Sequence, residues 1–232
     1  MPVRLKAAVT DRDLARSMAY FPLVGLLIGA ALALFYNILN LLFSGPITCS
    51  FILILSAMIT GGLHIDGFID TFDGIASGAD KKRTLEIMRE GRPGAIGIAA
   101  IILLFLAKYS LLVSLPKGTV EVSLIAMTTL GRWSLVASSA LFPYAREGEG
   151  LGRRFIQNLS RKEGYIATLF ALSVMIFIFK LKVLILIPVV AVLLAGFNFY
   201  FYKKLGGITG DTLGALNEIT EALTLALAVV LI

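Results

Sequence analysis

The sequence predicts an all-α fold, a polytopic helical bundle embedded in a membrane, and three observations carry that expectation. Of 232 residues 58 % are hydrophobic and only 16 % charged, with a mean hydropathy of +0.89, which is far from a soluble domain. The apolar residues gather into about seven runs, most of them near the ~20 residues a helix needs to cross the hydrocarbon core. The basic residues fall in short groups between these runs, so the net charge of +6 fits membrane loops and excludes nucleic acid as a partner. A single transmembrane catalytic domain is expected over residues 1–232. The one cysteine, Cys49, lies in an apolar run and leaves neither an internal disulfide nor a cysteine metal centre.

In chain order, the polar lead 1–17 sets Arg4, Lys6, Arg12 and Arg16 against Asp11 and Asp13 and reads as a short surface helix that anchors the chain. No cleavable signal is expected, because the first apolar run is already a full span in length. That first span is 20–43, where Gly25 and Gly29 have the spacing for a close helix approach. The second, 47–63, is short and delivers the chain straight into an acid cluster at 61–74. The polar interval 79–94 contains Asp80 followed by Lys81-Lys82-Arg83-Thr84-Leu85-Glu86, a capped amphipathic helix. The third span, 95–115, carries Lys108, which either snorkels to the far surface or lines the bundle. At the midpoint of the fourth, 122–142, stands Arg132. An unpaired cation there costs at least about 2.5–3.5 kcal/mol on insertion scales, so it must face an acid or a bound anion. Spans five (165–179) and six (183–202) are divided only by Lys180-Leu181-Lys182, which implies an antiparallel hairpin. The seventh enters at Asp211 and ends in the apolar residues 222–232.

Chemistry concentrates in the polar stretches. Asp66, Asp70 and Asp73 stand at i, i+4 and i+7, one face of a helix, where like charges repel unless something neutralises them. Oxygen-only ligands suit a hard cation, Mg²⁺ or Mn²⁺, shared with a substrate phosphate; the bland alternative is a solvated acidic loop. His64 beside them reads more readily as a hydrogen-bonding wall residue than as a metal ligand. Arg89 and Arg92 flank a Gly-rich turn, 91–97 with Gly94 at its centre, whose free N–H groups at a helix start form a phosphate site. Glycines around Arg146, in 146–152, read as a loop that closes over something. Asp211, Gly214, Glu218 and Glu221 form one helical stripe, with the two glutamates roughly 10–15 Å along from Asp211. Acids at that depth are functional candidates, the alternative being a surface start to the helix.

With the N-terminus inside and seven spans, the basic residues number four, five, five and two in the successive inner segments, against none, one, two and none in the outer ones. The bias puts the acid cluster, the Gly-rich turn, the Arg146 loop and Asp211 together at the cytoplasmic face. Those parts suit phosphoryl-group transfer at the membrane surface.

The same residues carry a resemblance. Phe21-Pro22-Leu23-Val24-Gly25, Gly62-Leu63-His64-Ile65-Asp66-Gly67 running on to Asp73-Gly74, Leu85-Glu86-Ile87-Met88-Arg89, Gly131-Arg132, Arg146 with Gly150-Leu151-Gly152, and Thr209-Gly210-Asp211-Thr212-Leu213-Gly214-Ala215 with Asn217-Glu218 and Thr220-Glu221 span nearly the whole chain. The chain resembles the cobalamin synthase family, also called adenosylcobinamide-GDP ribazoletransferase or cobalamin 5′-phosphate synthase. One departure is a leading segment before Phe21 shorter than such proteins carry. The resemblance implies a Mg²⁺-dependent enzyme of the cytoplasmic (inner) membrane that joins adenosylcobinamide-GDP to α-ribazole or its 5′-phosphate, releasing GMP. It implies catalytic roles for Asp66, Asp70, Asp73, Asp211 and Glu218, the first three holding one or two Mg²⁺ and one of the last two acting as further ligand or base. Arg89, Arg92 and Arg146 would hold phosphates, Arg132 would pair with the deep acids Glu218 or Glu221, and Gly94 and His64 complete the binding set. The expected partners are these substrates and the lipid bilayer, with a homo-oligomer left open. Two competitors fit less well. A CDP-alcohol phosphotransferase would have an Ala-Arg pair after its first Asp-Gly, where this chain has Phe68-Ile69. A divalent-cation transporter would want acids on both sides of the bilayer, where the outer loops offer only Glu121.

Overall fold

The computed structural model describes residues 10–147 and 151–232. It is a bundle of helices without strands among the described residues, apart from one isolated parallel bridge between Tyr144 and Ile208. Helix α1, Asp11–Ser17, is opened by Thr10, whose hydroxyl accepts from the Asp13 amide, and continues through a 3-10 turn into α2, Phe21–Leu39. Then follow α3 (Gly45–Ile59), α4 (Leu63–Ala76), α5 (Lys81–Ile87), α6 (Ala95–Ser114), α7 (Val120–Leu141), α8 (Leu151–Gln157), α9 (Arg161–Phe179), α10 (Val183–Leu205) and α11 (Gly210–Leu231). Asp80 caps α5 as its sequence predicts, Oδ1 accepting from the Arg83 amide at 2.9 Å.

Five helical stretches of the described chain are long and apolar enough to cross a membrane, or six if the bent pair α3–α4 is one span. That count treats Arg161–Leu205 as one stretch of 45 residues. At about 1.5 Å per residue it would be ~68 Å long, about twice the ~30 Å hydrocarbon core. Its neighbours show that it doubles back. Thr168 of α9 accepts from the Trp133 indole and Gly164 lies beside Ala140, so α9 runs antiparallel to α7. Asn198 near the end of α10 donates to Ser138 near the end of α7, so α10 runs parallel to it. The reversal falls at Lys180, whose φ of 52° and ψ of −129° leave the helical region. This is the hairpin expected between spans five and six.

The second apolar run departs from expectation. Instead of carrying the acids onward, α3 stops at Ile59 and the chain turns by 89° into α4. Gly61 and Gly62 make the turn at φ 61° and 72°, a region open to glycine and strained for other residues. The acid cluster is therefore a separate helix laid across the end of α3.

Helices α7 and α11 are the most buried spans and form the centre of the bundle. On α2, the close approach predicted for Gly25 and Gly29 is made to α7. A Cβ at Gly29 would lie 2.5 Å from Ile125 Cα, and the Thr128 hydroxyl donates to the Gly25 carbonyl at 2.7 Å. The apolar core on this axis includes Leu32, Ile52, Leu124, Met127, Met175, Leu186, Leu216 and Leu225. Its volume is filled by side chains without charge, so the charged groups described next stand out by position.

Candidate functional site

Helix α4 is placed by two neighbours. At its start, glycine-to-backbone contacts seat it on α11: a Cβ on Gly67 would come within 2.9 Å of the Asp211 carbonyl oxygen, and one on Gly214 within 3.2 Å of the His64 carbonyl. At its end, Asp73 reaches the first turn of α6. Its Oδ2 accepts from the Gly94 amide at 2.6 Å and its Oδ1 from the Gly97 amide at 2.8 Å. These are the orphan N–H groups that every helix start must satisfy, and the chain satisfies them with its own carboxylate.

This arrangement corrects one expectation. The Gly-rich turn, with Gly94, is not an open phosphate site, because Asp73 occupies the anion position; Arg92 is exposed on the turn and Arg89 is exposed on the other side of it. Both Asp73 oxygens thus accept from the start of α6, which orients this carboxylate toward that helix. Among the described residues, no three or more His, Cys, Asp or Glu side chains converge closely enough to hold a metal ion.

The fold adds Asp211 to this group of acids. Asp211 lies in the first turn of α11, which Thr209 caps by accepting from the Thr212 amide at 3.1 Å. Asp70 is only 8 % exposed, and Asp211, Asp66 and Asp73 all act on it as like charges. Arg146 supplies the opposing charge, donating from Nη2 to Asp211 Oδ2. Its place is set by the Tyr144–Ile208 bridge, in which the Ala145 amide donates to the Ile208 carbonyl at 2.8 Å and the Ile208 amide to Pro143 at 2.9 Å. The Arg146 Nε is buried and has no partner among the described residues. Of the expected covering loop, Gly148, Glu149 and Gly150 lie outside the described residues.

A second group of charges lies deeper. Lys108 donates to Glu218 Oε2 at 2.6 Å and to Glu221 Oε2 at 2.8 Å, while Arg132 Nη1 donates to Glu221 Oε1. The Asn217 amide adds bonds to Glu221 at 3.2 Å and Glu218 at 3.4 Å. Lys108, Arg132, Glu218 and Glu221 are each 6 % exposed or less. Two cations thus meet two carboxylates, which lets four charges sit in a medium where any one alone would be expelled or neutralised. Arg132 pairs with a deep acid as expected, and Lys108 lines the bundle. Glu218, however, is tied to Lys108 well below Asp211, so it is not placed to serve as a base beside the acid cluster. Arg132 and Glu221 likewise spend their bonds on one another, and His64, half-buried at the start of α4, borders this network from above. Two determinants were missed in the sequence, Lys108's double contact and Asn217. A lysine inside an apolar run was the available signal for the first.

Outside the acid cluster, a cleft of about 660 Å³ lies between α5 and residues 145–147, with Lys81, Lys82, Arg89 and Arg146 among its lining.

Fold and site together define a membrane-embedded enzyme in which carboxylates from two helices and an arginine meet at the polar end of a helical bundle. Residues 1–229 match the family model described as cobalamin-5-phosphate synthase. The chain belongs to that family and is a transferase. It is 36 % identical over 222 residues to an adenosylcobinamide-GDP ribazoletransferase of Thermoanaerobacter pseudethanolicus, covering 95 % of this chain and 89 % of the relative. Proteins of the same name from Acetivibrio thermocellus and Clostridium acetobutylicum are 35 % identical over 233 residues (98 % and 92 % covered) and 33 % identical over 223 residues (95 % and 88 % covered). No solved structure matches the chain.

Proposed function

We propose that this enzyme joins adenosylcobinamide-GDP to α-ribazole or its 5′-phosphate and releases GMP, the last assembly step of the cobalamin nucleotide loop. Family membership supports the assembly step. The observation that carries the chemistry is the close packing of the α4 segment bearing Asp66 and Asp70 against Asp211 on α11, with Arg146 paired to Asp211.

Three crowded carboxylates against one guanidinium leave negative charge uncompensated, and their hard oxygens suit Mg²⁺ in donor chemistry. Asp66 and Asp70 would hold it, with a substrate phosphate completing the ligand set as is usual for Mg²⁺. Bound there, Mg²⁺ supplies charge neutralisation for a diphosphate. The chain's own residues do the rest. Arg146 directs its free N–H groups at phosphate oxygens, which lowers the repulsion an incoming nucleophile meets. A ribazole hydroxyl attacks the phosphorus attached to the cobinamide arm; the new O–P bond forms as the P–O bond to GMP breaks. Of the two residues considered as base, Asp211 is at the cluster and takes the hydroxyl proton. The network of Lys108, Arg132, Glu218 and Glu221 holds α6, α7 and α11 in register beneath this site.

The excess of basic residues in the segments beside this end supports an orientation with the site facing the cytoplasm, in the inner membrane. The test is GMP release from adenosylcobinamide-GDP in vesicles, with and without α-ribazole and with Mg²⁺ withdrawn by chelator. Release that needs neither ribazole nor Mg²⁺ overturns the reading.

A further inference from the structure

We propose that the cleft between α5 and residues 145–147 is the subsite for the guanine nucleotide end of the substrate, the part that departs as GMP. This rests on the reaction proposed above and assigns one half of its substrate to a place.

Size comes first. At about 660 Å³ the cleft has the volume of an ordinary small-ligand pocket (about 300–1,000 Å³). A purine mononucleotide fits that space, whereas a corrin macrocycle bearing an adenosyl group does not. Charge is the second argument. Among the lining carboxylates, Asp80 is spent on the Arg83 amide and Glu86 on the Arg83 guanidinium. Lys82 and Arg89 make no ion pair among the described residues, and the lining sets four cations, Lys81, Lys82, Arg89 and Arg146, against three carboxylates, a balance suited to a phosphate. Third, Arg146 stands where the cleft meets the acid cluster. Its guanidinium is held by Asp211, so a group seated in the cleft lies next to the acids. Finally, the cleft is fastened to the site. Met88 closes on Gly74 of α4, where a Cβ would lie 2.6 Å from its Cγ, so α5 cannot drift from the acid helix.

α-Ribazole 5′-phosphate shares the size and the phosphate, but its benzimidazole has no ring N–H or amino group to offer. Guanine does, and Glu147, the remaining carboxylate of the lining, is an acceptor for such donors. Guanine nucleotide is therefore the assigned occupant.

The experiment measures GMP and α-ribazole 5′-phosphate binding to the full chain in detergent, for the wild type and for Lys82→Ala, Arg89→Ala and Glu147→Gln, together with KM for each substrate. All three positions are exposed, so the variants are expected to fold. The proposal expects Lys82→Ala and Arg89→Ala each to weaken GMP about tenfold or more and raise KM for adenosylcobinamide-GDP, with KM for the ribazole substrate unchanged. Glu147→Gln should weaken GMP but leave IMP, which lacks the 2-amino group, less affected. Unchanged GMP affinity with a raised ribazole KM would give the cleft to the other substrate and overturn the assignment. Changes in neither would remove the cleft from the site altogether. In both those cases turnover by the wild type leaves the proposed reaction standing; a wild type that neither turns over nor binds GMP refutes the reaction itself.

Discussion

Removing Lys108 should destabilise the protein, and the pattern of rescue should reveal the wiring of the buried charges. Lys108 Nζ touches both Glu218 and Glu221, at 2.6 and 2.8 Å, whereas Arg132 touches only Glu221. Lys108→Met therefore leaves two carboxylates facing one guanidinium, at a cost of about 3–5 kcal/mol by analogy with broken buried pairs. For a chain of this size that is a fall in Tm of roughly 6–20 °C, at about 2–4 °C per kcal/mol. Adding Glu218→Gln removes the stranded carboxylate and leaves the Arg132–Glu221 pair intact, so much of the loss should return. By the same logic Glu221→Gln should rescue Arg132→Ala, leaving Lys108 with Glu218. One crossed combination should not work: Lys108→Met with Glu221→Gln strands Arg132 and Glu218, which share no ion pair, whereas Arg132→Ala with Glu218→Gln keeps the Lys108–Glu221 pair and should be rescued. Thermal unfolding in detergent, read on the four single and four double variants, supplies the double-mutant cycles. Rescue of Lys108→Met by Glu221→Gln as large as that by Glu218→Gln, or strictly additive losses, would refute this wiring.

Other consequences are as definite. Asp66→Asn, Asp70→Asn and Asp211→Asn should each lower turnover by about 10² or more with little change in Tm, since each removes charge from the reacting centre; turnover within tenfold of wild type in two of the three would remove the cluster from the mechanism. Asp73→Ala should act differently, lowering stability by about 0.5–2 kcal/mol through loss of the α6 cap, measurable as a shift in unfolding midpoint. Gly67→Ala should push α11 from α4 at the Asp211 carbonyl, 2.9 Å from the added carbon, and reduce kcat more than it reduces Tm. Cysteines at Ser44 and Gly118 should react with an impermeant thiol reagent added outside intact cells, and one at Lys82 should not; the opposite labelling would invert the orientation.

Much of this was legible in the sequence because the relevant physics is local or one-dimensional. Runs of apolar residues report spans, since each must satisfy its own backbone inside lipid. A cation at the middle of the fourth run had to meet an acid, and Arg132 does. Asp80 announces a helix start, and the lone Lys180-Leu181-Lys182 break announces the hairpin. What the sequence could not decide is which carboxylates share a space. Asp66, Asp70 and Asp73 share a helical face by spacing alone. Yet the end of that face lies against the first turn of α6, whose unpaired amides claim Asp73. Asp211, more than a hundred residues away, takes a place beside Asp70 only because Gly67 and Gly214 let two helix backbones touch. Lys108 found its two glutamates across the same packing. Spacing along one helix is a property of the chain, but the partner of a buried charge is set by which surfaces close upon it, and that is decided in three dimensions.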